Sequence, residues 1–200
     1  VTSTAGTILN VPNVVTAIRF ALAIVVFVLI PLEQYLAALI VFVIAAGTDW
    51  LDGWWARKYG QVTKLGRIFD PFVDKIIICG AFTFLAAEAG SGILPWMAVV
   101  VMGREMLVTA IRGFIEQQGG DFSANFSGKL KMVLQCVAVV ASLVALRHLR
   151  QGETAGALSP ALPAWLYWTL RISVGLAVLS TIQSGLEYIV AAARILGREK

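Results

Sequence analysis

Six charge-free windows of this chain have membrane-helix character: 20–32, 34–48, 76–87, 89–103, 132–146 and 172–186, each 12 to 15 residues long. That length is the strongest constraint on the fold. A helix needs about 20 residues to cross the hydrocarbon of a bilayer, so no window spans it alone. Yet the chain is 58% hydrophobic and only 14% charged, with a mean hydropathy of +0.81, whereas soluble domains are about one quarter charged. Both facts hold together if every helix runs past its window and takes charged residues with it. Those charges must then face the bundle interior or reach the interface. The expected fold class is all-α: a polytopic membrane protein, one domain over 1–200, with six transmembrane helices near 14–32, 34–57, 67–88, 93–116, 128–149 and 163–194. The Gly/Pro-rich segment 150–163, "RQGETAGALSPALP", reads as an irregular loop.

Basic residues set the expected topology. Arg57, Lys58, Lys64, Arg67 and Lys75 flank the second connection, Arg112, Lys129 and Lys131 flank the fourth, and Arg194, Arg198 and Lys200 end the chain. The turns "PLEQ" and "AAEAGSGILP" carry no Lys or Arg, and Arg147 and Arg150 fall on that opposite side. The positive-inside rule puts both termini and the second and fourth connections in the cytoplasm. The net charge of +4 is therefore read as topology, and no nucleic-acid partner is expected. Cys79 and Cys136, the two cysteines, both sit in apolar runs, which excludes a disulfide framework and a CxxC metal pair.

At the end of the apolar run "YLAALIVFVIAA" stands "GTDWLDGWWARKYG", and "FDPFVDK" follows closely. Asp49 and Asp52 are three apart, on one helix face, and Asp70 and Asp74 are four apart on the next helix. If the two helices are antiparallel neighbours, all four carboxylates meet at one depth. At about 4 Å and an effective dielectric of 20, each pair repels by roughly 4 kcal/mol. Hard divalent cations relieve this, and an all-oxygen donor set selects Mg²⁺, Mn²⁺ or Ca²⁺ over zinc. Two such ions are a known device for displacement at phosphorus. Taken singly, Asp70 before Pro71 also reads as a helix cap, and Asp52 before Gly53 as a turn. Gly53, Ala56 and Gly66 lack side chains that would keep a bulky ligand from the backbone. They read equally as a small-residue helix contact.

Further polar residues follow helical spacing. Asn13, Thr16 and Arg19 step by three along one face. Glu105 and Arg112 are seven apart, Arg104 lies on the same broad side, and Lys129, Lys131 and Gln135 open the fifth helix. Arg104, Arg112, Lys129 and Lys131 suit a phosphate, which Arg and Lys hold by charge-assisted hydrogen bonds. The alternative is a structural Glu105–Arg112 pair beside lysines that meet anionic lipid heads.

Asp49-x-x-Asp52-Gly53-x-x-Ala56-Arg57, eight residues, then Gly66-x-x-x-Asp70-x-x-x-Asp74 resembles the complete signature of the CDP-alcohol phosphotransferases. The resemblance implies six membrane helices, a homodimer, and transfer of a phosphoalcohol from a CDP-linked donor to a hydroxyl with release of CMP. It implies two divalent cations, Mg²⁺ or Mn²⁺, with Asp49, Asp52 and Asp70 as main ligands. Asp74 would be both close to metal and the base for the acceptor hydroxyl. The donor would contact Asn13, Thr16, Asp52, Gly53, Ala56, Arg57 and Gly66. The segments "PNVVTAIRF", "GREMLVTAIRGF" and "GKLKMVLQ" resemble the branch that joins CDP-diacylglycerol to glycerol 3-phosphate, which would place Arg104, Arg112, Lys129 and Lys131 around the acceptor phosphate. A bacterial inner (plasma) membrane, with the site facing the cytoplasm, is then the expected location. Nothing beyond residue 140 carries the resemblance. The same chemistry on inositol phosphate or phosphatidylglycerol stays open. So does an ion-coupled transporter, which shares intramembrane charges, although the chain lacks the paired hydropathy halves common in transporters.

Overall fold

A computed structural model describes residues 11–59, 66–117, 126–154 and 161–196, with side chains described over 14–48, 69, 71–115, 130–152 and 161–193. The described residues form six helices and no strand: α1 Val11–Leu29, α2 Tyr35–Tyr59, α3 Gly66–Ala87, α4 Pro95–Gln117, α5 Phe126–Thr154 and α6 Ala164–Leu196. All six expected helices are present, and each extends past its charge-free window.

The C-terminal ends of α1 and α5 differ from expectation by three residues or more, and the cap reading of Asp70 is not met. α1 stops at Leu29 rather than 32, ahead of Pro31, and the chain turns with Glu33 N–H donating to the Ile30 carbonyl (2.9 Å) and Gln34 N–H to that of Leu29 (3.0 Å). Glu33 takes a left-handed backbone, φ 57°, which costs an L-residue about 1–2 kcal/mol. Its carboxylate is ion-paired with Arg150. That pair accounts for the second difference. α5 continues to Thr154, so Arg150 belongs to a helix and not to an irregular loop. Third, α3 begins at Gly66, a turn ahead of Asp70, and Pro71 is inside it. Asp70 is therefore a residue of the helix and not its cap.

The packing order is a closed ring: α1 on α2, α2 on α5, α5 on α6, α6 on α4, α4 on α3 and α3 back on α1, with α3 and α5 also touching across it. The inward stripes follow the helical period, as in Ala23, Val26 and Ile30 of α1, Ala38, Phe42 and Ala45 of α2, and Leu170, Val174 and Ala177 of α6. Outward faces are just as apolar, with Val28, Ile40, Val43, Val99, Leu179 and Leu186 all exposed. A helix apolar all round belongs in a core or in lipid. Leu130–Gly152 and Ala164–Ala193 are long and apolar enough to cross a membrane, and Val14–Leu29 and Tyr35–Thr48 are shorter apolar segments. The Phe27 ring of α1 lies against Gly80 of α3, where an added Cβ would be 2.1 Å from Phe27 Cζ, and Phe27 stacks on Phe84 with ring centroids 5.2 Å apart.

Among the described residues α1 packs on both α2 and α3; the ends of α2 and α3 at which Asp49, Asp52 and Asp70 are expected to meet have side chains outside the described residues. At the far end of the two helices the Tyr35 hydroxyl donates to Glu88 Oε2 (3.0 Å) just beyond α3.

Candidate active site

The buried polar side chains gather toward one half of the ring, built from the first half of α1, α3 and α5 and the second half of α4 and α6. Arg19, Arg104, Glu105, Lys131, Gln135, Thr181 and Ser184 are all buried there. These are the charges that the helices carry with them past the apolar windows, and they face inward.

Arg19 of α1 is only 1% exposed, and its Nη1 donates to Asp74 Oδ1 of α3 at 2.8 Å. The Asp74 side chain keeps a quarter of its surface open. Thr16 is buried one turn before Arg19, so the stripe expected from Thr16 and Arg19 does enter the bundle. Asp70 lies one turn before Asp74 on the continuous α3, a rise of about 6 Å. Asn13 is on α1, Asp49, Asp52, Gly53, Ala56 and Arg57 are on the last half of α2, Gly66 opens α3, and Lys129 is in the first turn of α5. Their side chains, and that of Asp70, lie outside the described residues.

The expected phosphate cluster divides in two. Glu105 is held by Arg104, whose Nη1 is 3.2 and 3.3 Å from its two oxygens, and by Lys131 of α5. Arg112 does not pair with Glu105 among the described residues. Its Nη2 donates to the hydroxyl of Tyr188 on α6 at 3.0 Å. The two groups share the Tyr188 ring, whose centroid is 5.4 Å from Arg104 Cζ and 6.0 Å from Arg112 Cζ. Arg104 Nη2 also donates to Ser184 of α6, at 2.5 Å. Sequence reasoning did not find Ser184 and Tyr188. A signal exists, since Thr181, Ser184 and Tyr188 step by three and four along α6, but it lies beyond the sequence motifs quoted above.

Among the described side chains, Arg19 pairs with Asp74 and both Arg104 and Lys131 pair with Glu105, while Lys75 and Arg112 are half-buried and bond to hydroxyls. Lys75 donates to Thr109 at 2.6 Å. The Nε atoms of Arg104 and Arg112 are buried without a hydrogen-bond partner. A buried donor left unmade costs about 1–3 kcal/mol, and an acceptor oxygen bound beside these two guanidiniums would relieve it. Beside it, an apolar groove of about 810 Å³ runs between α3 and α4, lined by Phe69, Phe72, Ile76, Met102 and Met106 and ending at Lys75, Glu105 and Thr109.

Glu105 keeps Arg104 and Lys131 tolerable in the bundle. Removing one partner of a buried ion pair costs about 3–5 kcal/mol. Glu105→Gln is therefore expected to lower the thermal midpoint in detergent markedly. Glu187→Gln, on the exposed face of α6 where Glu187 meets Gln183, is expected to change it little. Equal midpoints for the two variants would contradict the buried triad.

The chain matches the CDP-alcohol phosphatidyltransferase family over residues 9–184. It is similar to three bacterial proteins named CDP-diacylglycerol–glycerol-3-phosphate 3-phosphatidyltransferase. With that of Bacillus subtilis (strain 168) it is 36% identical over 152 residues, 68% of this chain and 77% of the relative. With that of Pseudomonas fluorescens it is 40% identical over 115 residues, 56% of this chain and 58% of the relative. With that of Escherichia coli (strain K12) it is 28% identical over 196 residues, 92% of this chain and 94% of the relative. With a match that covers most of its length, and with the Asp70–Asp74 face and the Arg104 and Arg112 guanidiniums on one bundle, this chain belongs to the CDP-alcohol phosphatidyltransferase family.

Proposed function

We propose that this chain is a membrane enzyme that transfers the phosphatidyl group of CDP-diacylglycerol to the hydroxyl of glycerol 3-phosphate, giving phosphatidylglycerophosphate and CMP. The observation that carries the acceptor is the pair of buried guanidinium Nε donors, on Arg104 and Arg112, that no described side chain meets. A phosphate monoester offers them a dianion with three acceptor oxygens, whereas serine offers one carboxylate and glycerol only neutral hydroxyls. The names of the relatives support the same pair of substrates. An apolar groove that ends on charge suits an amphiphilic donor.

The donor set fits divalent metal. Asp49, Asp52, Asp70 and Asp74 offer only hard carboxylate oxygens, and Asp74 keeps part of its surface open beside the Arg19 pair. When bound there, two ions, Mg²⁺ or Mn²⁺, would neutralise the donor's pyrophosphate and the charge developing on CMP. Arg19 fixes Asp74 Oδ1, so the carboxylate has a defined direction. Asp74 takes the proton of the acceptor hydroxyl as its oxygen bonds to the phosphatidyl phosphorus and the bond to CMP breaks. A carboxylate is a weak base for an alcohol, so positioning supplies much of the rate. Arg104, Arg112, Lys129 and Lys131 hold the acceptor phosphate, while Gly53, Ala56 and Gly66 leave room for the cytidine, with Asn13, Thr16, Asp52 and Arg57 at the donor.

In this reading all six helices cross a bacterial plasma membrane, both termini and the site face the cytoplasm, and the enzyme works as a homodimer. Helices of 19 to 33 residues measure about 28–50 Å at 1.5 Å per residue, enough for the hydrocarbon. Lys and Arg concentrate at the site end. Arg171, near the start of α6, joins Arg147 and Arg150 at the other.

Asp49→Asn, Asp52→Asn and Asp70→Asn are each expected to lower turnover at least ~100-fold while the protein stays folded, because each removes a ligand charge that acts on the transition state. Near wild-type rates for all three at low Mg²⁺ would contradict the metal site. Arg112→Lys is expected to raise the apparent KM for glycerol 3-phosphate about tenfold and leave that for CDP-diacylglycerol unchanged, since Lys lacks the planar fork. If both substrates suffer alike and the thermal midpoint falls, Arg112 serves stability alone.

A further inference from the structure

Resting on the acceptor-phosphate reading above, the geometry points to α6 as the element that aims the phosphate-binding guanidiniums, with Tyr188 as the positioning residue. Tyr188 is buried, 4% exposed. It touches both halves of the divided cluster. Its hydroxyl accepts from Arg112 Nη2 at 3.0 Å, and its ring faces the guanidinium carbons of Arg104 at 5.4 Å and Arg112 at 6.0 Å. Among the hydrogen bonds and ring contacts of the described residues, Tyr188 is the side chain the two arginines share.

The residues one turn earlier on α6 serve the same end. Ser184, 1% exposed, accepts from Arg104 Nη2 at 2.5 Å. Gly185 lies against the Arg104 stem, where an added Cβ would come within 3.3 Å of Cγ. Ser184, Gly185 and Tyr188 thus form one face that fixes where both guanidiniums stand. Two cations close enough to share a ring repel one another. The aromatic face and the hydroxyl offset that repulsion while leaving both Nε donors unmade. A pair of guanidiniums that share one rigid ring, each with an unspent donor, is preorganised for a tetrahedral dianion such as a phosphate monoester. Without the ring each arginine has other rotamers to occupy, and ordering them on binding weakens affinity.

Tyr188→Phe keeps the ring and removes the hydroxyl; Tyr188→Leu removes both; Ser184→Ala frees Arg104. Steady-state KM for glycerol 3-phosphate and for CDP-diacylglycerol would be measured for each, beside Arg112→Lys and the thermal midpoint in detergent. Tyr188→Phe is expected to raise the KM for glycerol 3-phosphate about tenfold, the order expected for one hydrogen bond made by a charged group, with the donor KM within about twofold and kcat largely kept. Tyr188→Leu should raise it further, and Ser184→Ala should act in the same direction. Inorganic phosphate, as a competitor of glycerol 3-phosphate, should weaken in parallel. An unchanged KM for glycerol 3-phosphate in Tyr188→Phe, with a raised one in Arg112→Lys, overturns the role of α6 and spares the acceptor site. No change in Tyr188→Phe or Arg112→Lys overturns the acceptor reading and this inference with it. Equal losses for both substrates in Tyr188→Phe make Tyr188 structural and also overturn it. If Tyr188→Leu fails to fold, Tyr188→Phe and Ser184→Ala decide.

Discussion

A guanidinium 1% exposed inside a ring of apolar helices, as Arg19 is, persists only if a carboxylate meets it, since an unpaired buried charge costs several kcal/mol. The pairing of buried charge is the constraint on which the rest of the bundle depends. Arg19 with Asp74 ties α1 to α3, and Glu105 with Arg104 and Lys131 ties α4 to α5. Arg104 and Arg112 then reach α6 through Ser184 and Tyr188. Because these bonds lie toward one half, the ring has a polar half and an apolar half. The apolar half packs on Ile30, Leu85 and Leu146 and is closed at its rim by the Glu33–Arg150 and Tyr35–Glu88 contacts.

The pairing leaves the Nε donors of Arg104 and Arg112 unmade among the described residues, and the proposed function enters there. A buried donor without a partner weakens a fold until an acceptor arrives to complete it. A site that is costly when empty and satisfied when filled discriminates sharply against acceptors that lack the matching group.

Much of this was legible in the chain. Charge-free windows too short to span, in a composition too apolar to be soluble, left only helices that carry charge inward, and Arg19, Arg104, Glu105 and Lys131 are buried as that argument requires. Boundaries read least well where a tertiary contact decides them. α5 runs on to Thr154, which carries Arg150 to Glu33, and no local propensity reports that pair. The Asp-Pro step at 70–71 also reads as a cap, yet α3 begins at Gly66, beside the expected 67, and carries Pro71 in its second turn. Helical spacing brought Glu105 and Arg112 to one face but not into a pair, because Arg104 and Lys131 reach Glu105 and Tyr188 draws Arg112 toward α6. That last contact joins residues 76 apart in sequence, and nothing local could report it.

The central claim is that the half of the bundle holding Arg104 and Arg112 receives a phosphorylated alcohol. The most direct test is CMP release from CDP-diacylglycerol by the purified enzyme with Mg²⁺, offered glycerol 3-phosphate, inositol phosphate, serine, glycerol or phosphatidylglycerol in turn. The account predicts release with glycerol 3-phosphate at least ~100-fold above glycerol or serine, since a site built around buried donors rejects an analogue that leaves them unmade. Equal release with serine or glycerol would contradict it, as would a preference for inositol phosphate or phosphatidylglycerol, or no CMP release with any acceptor.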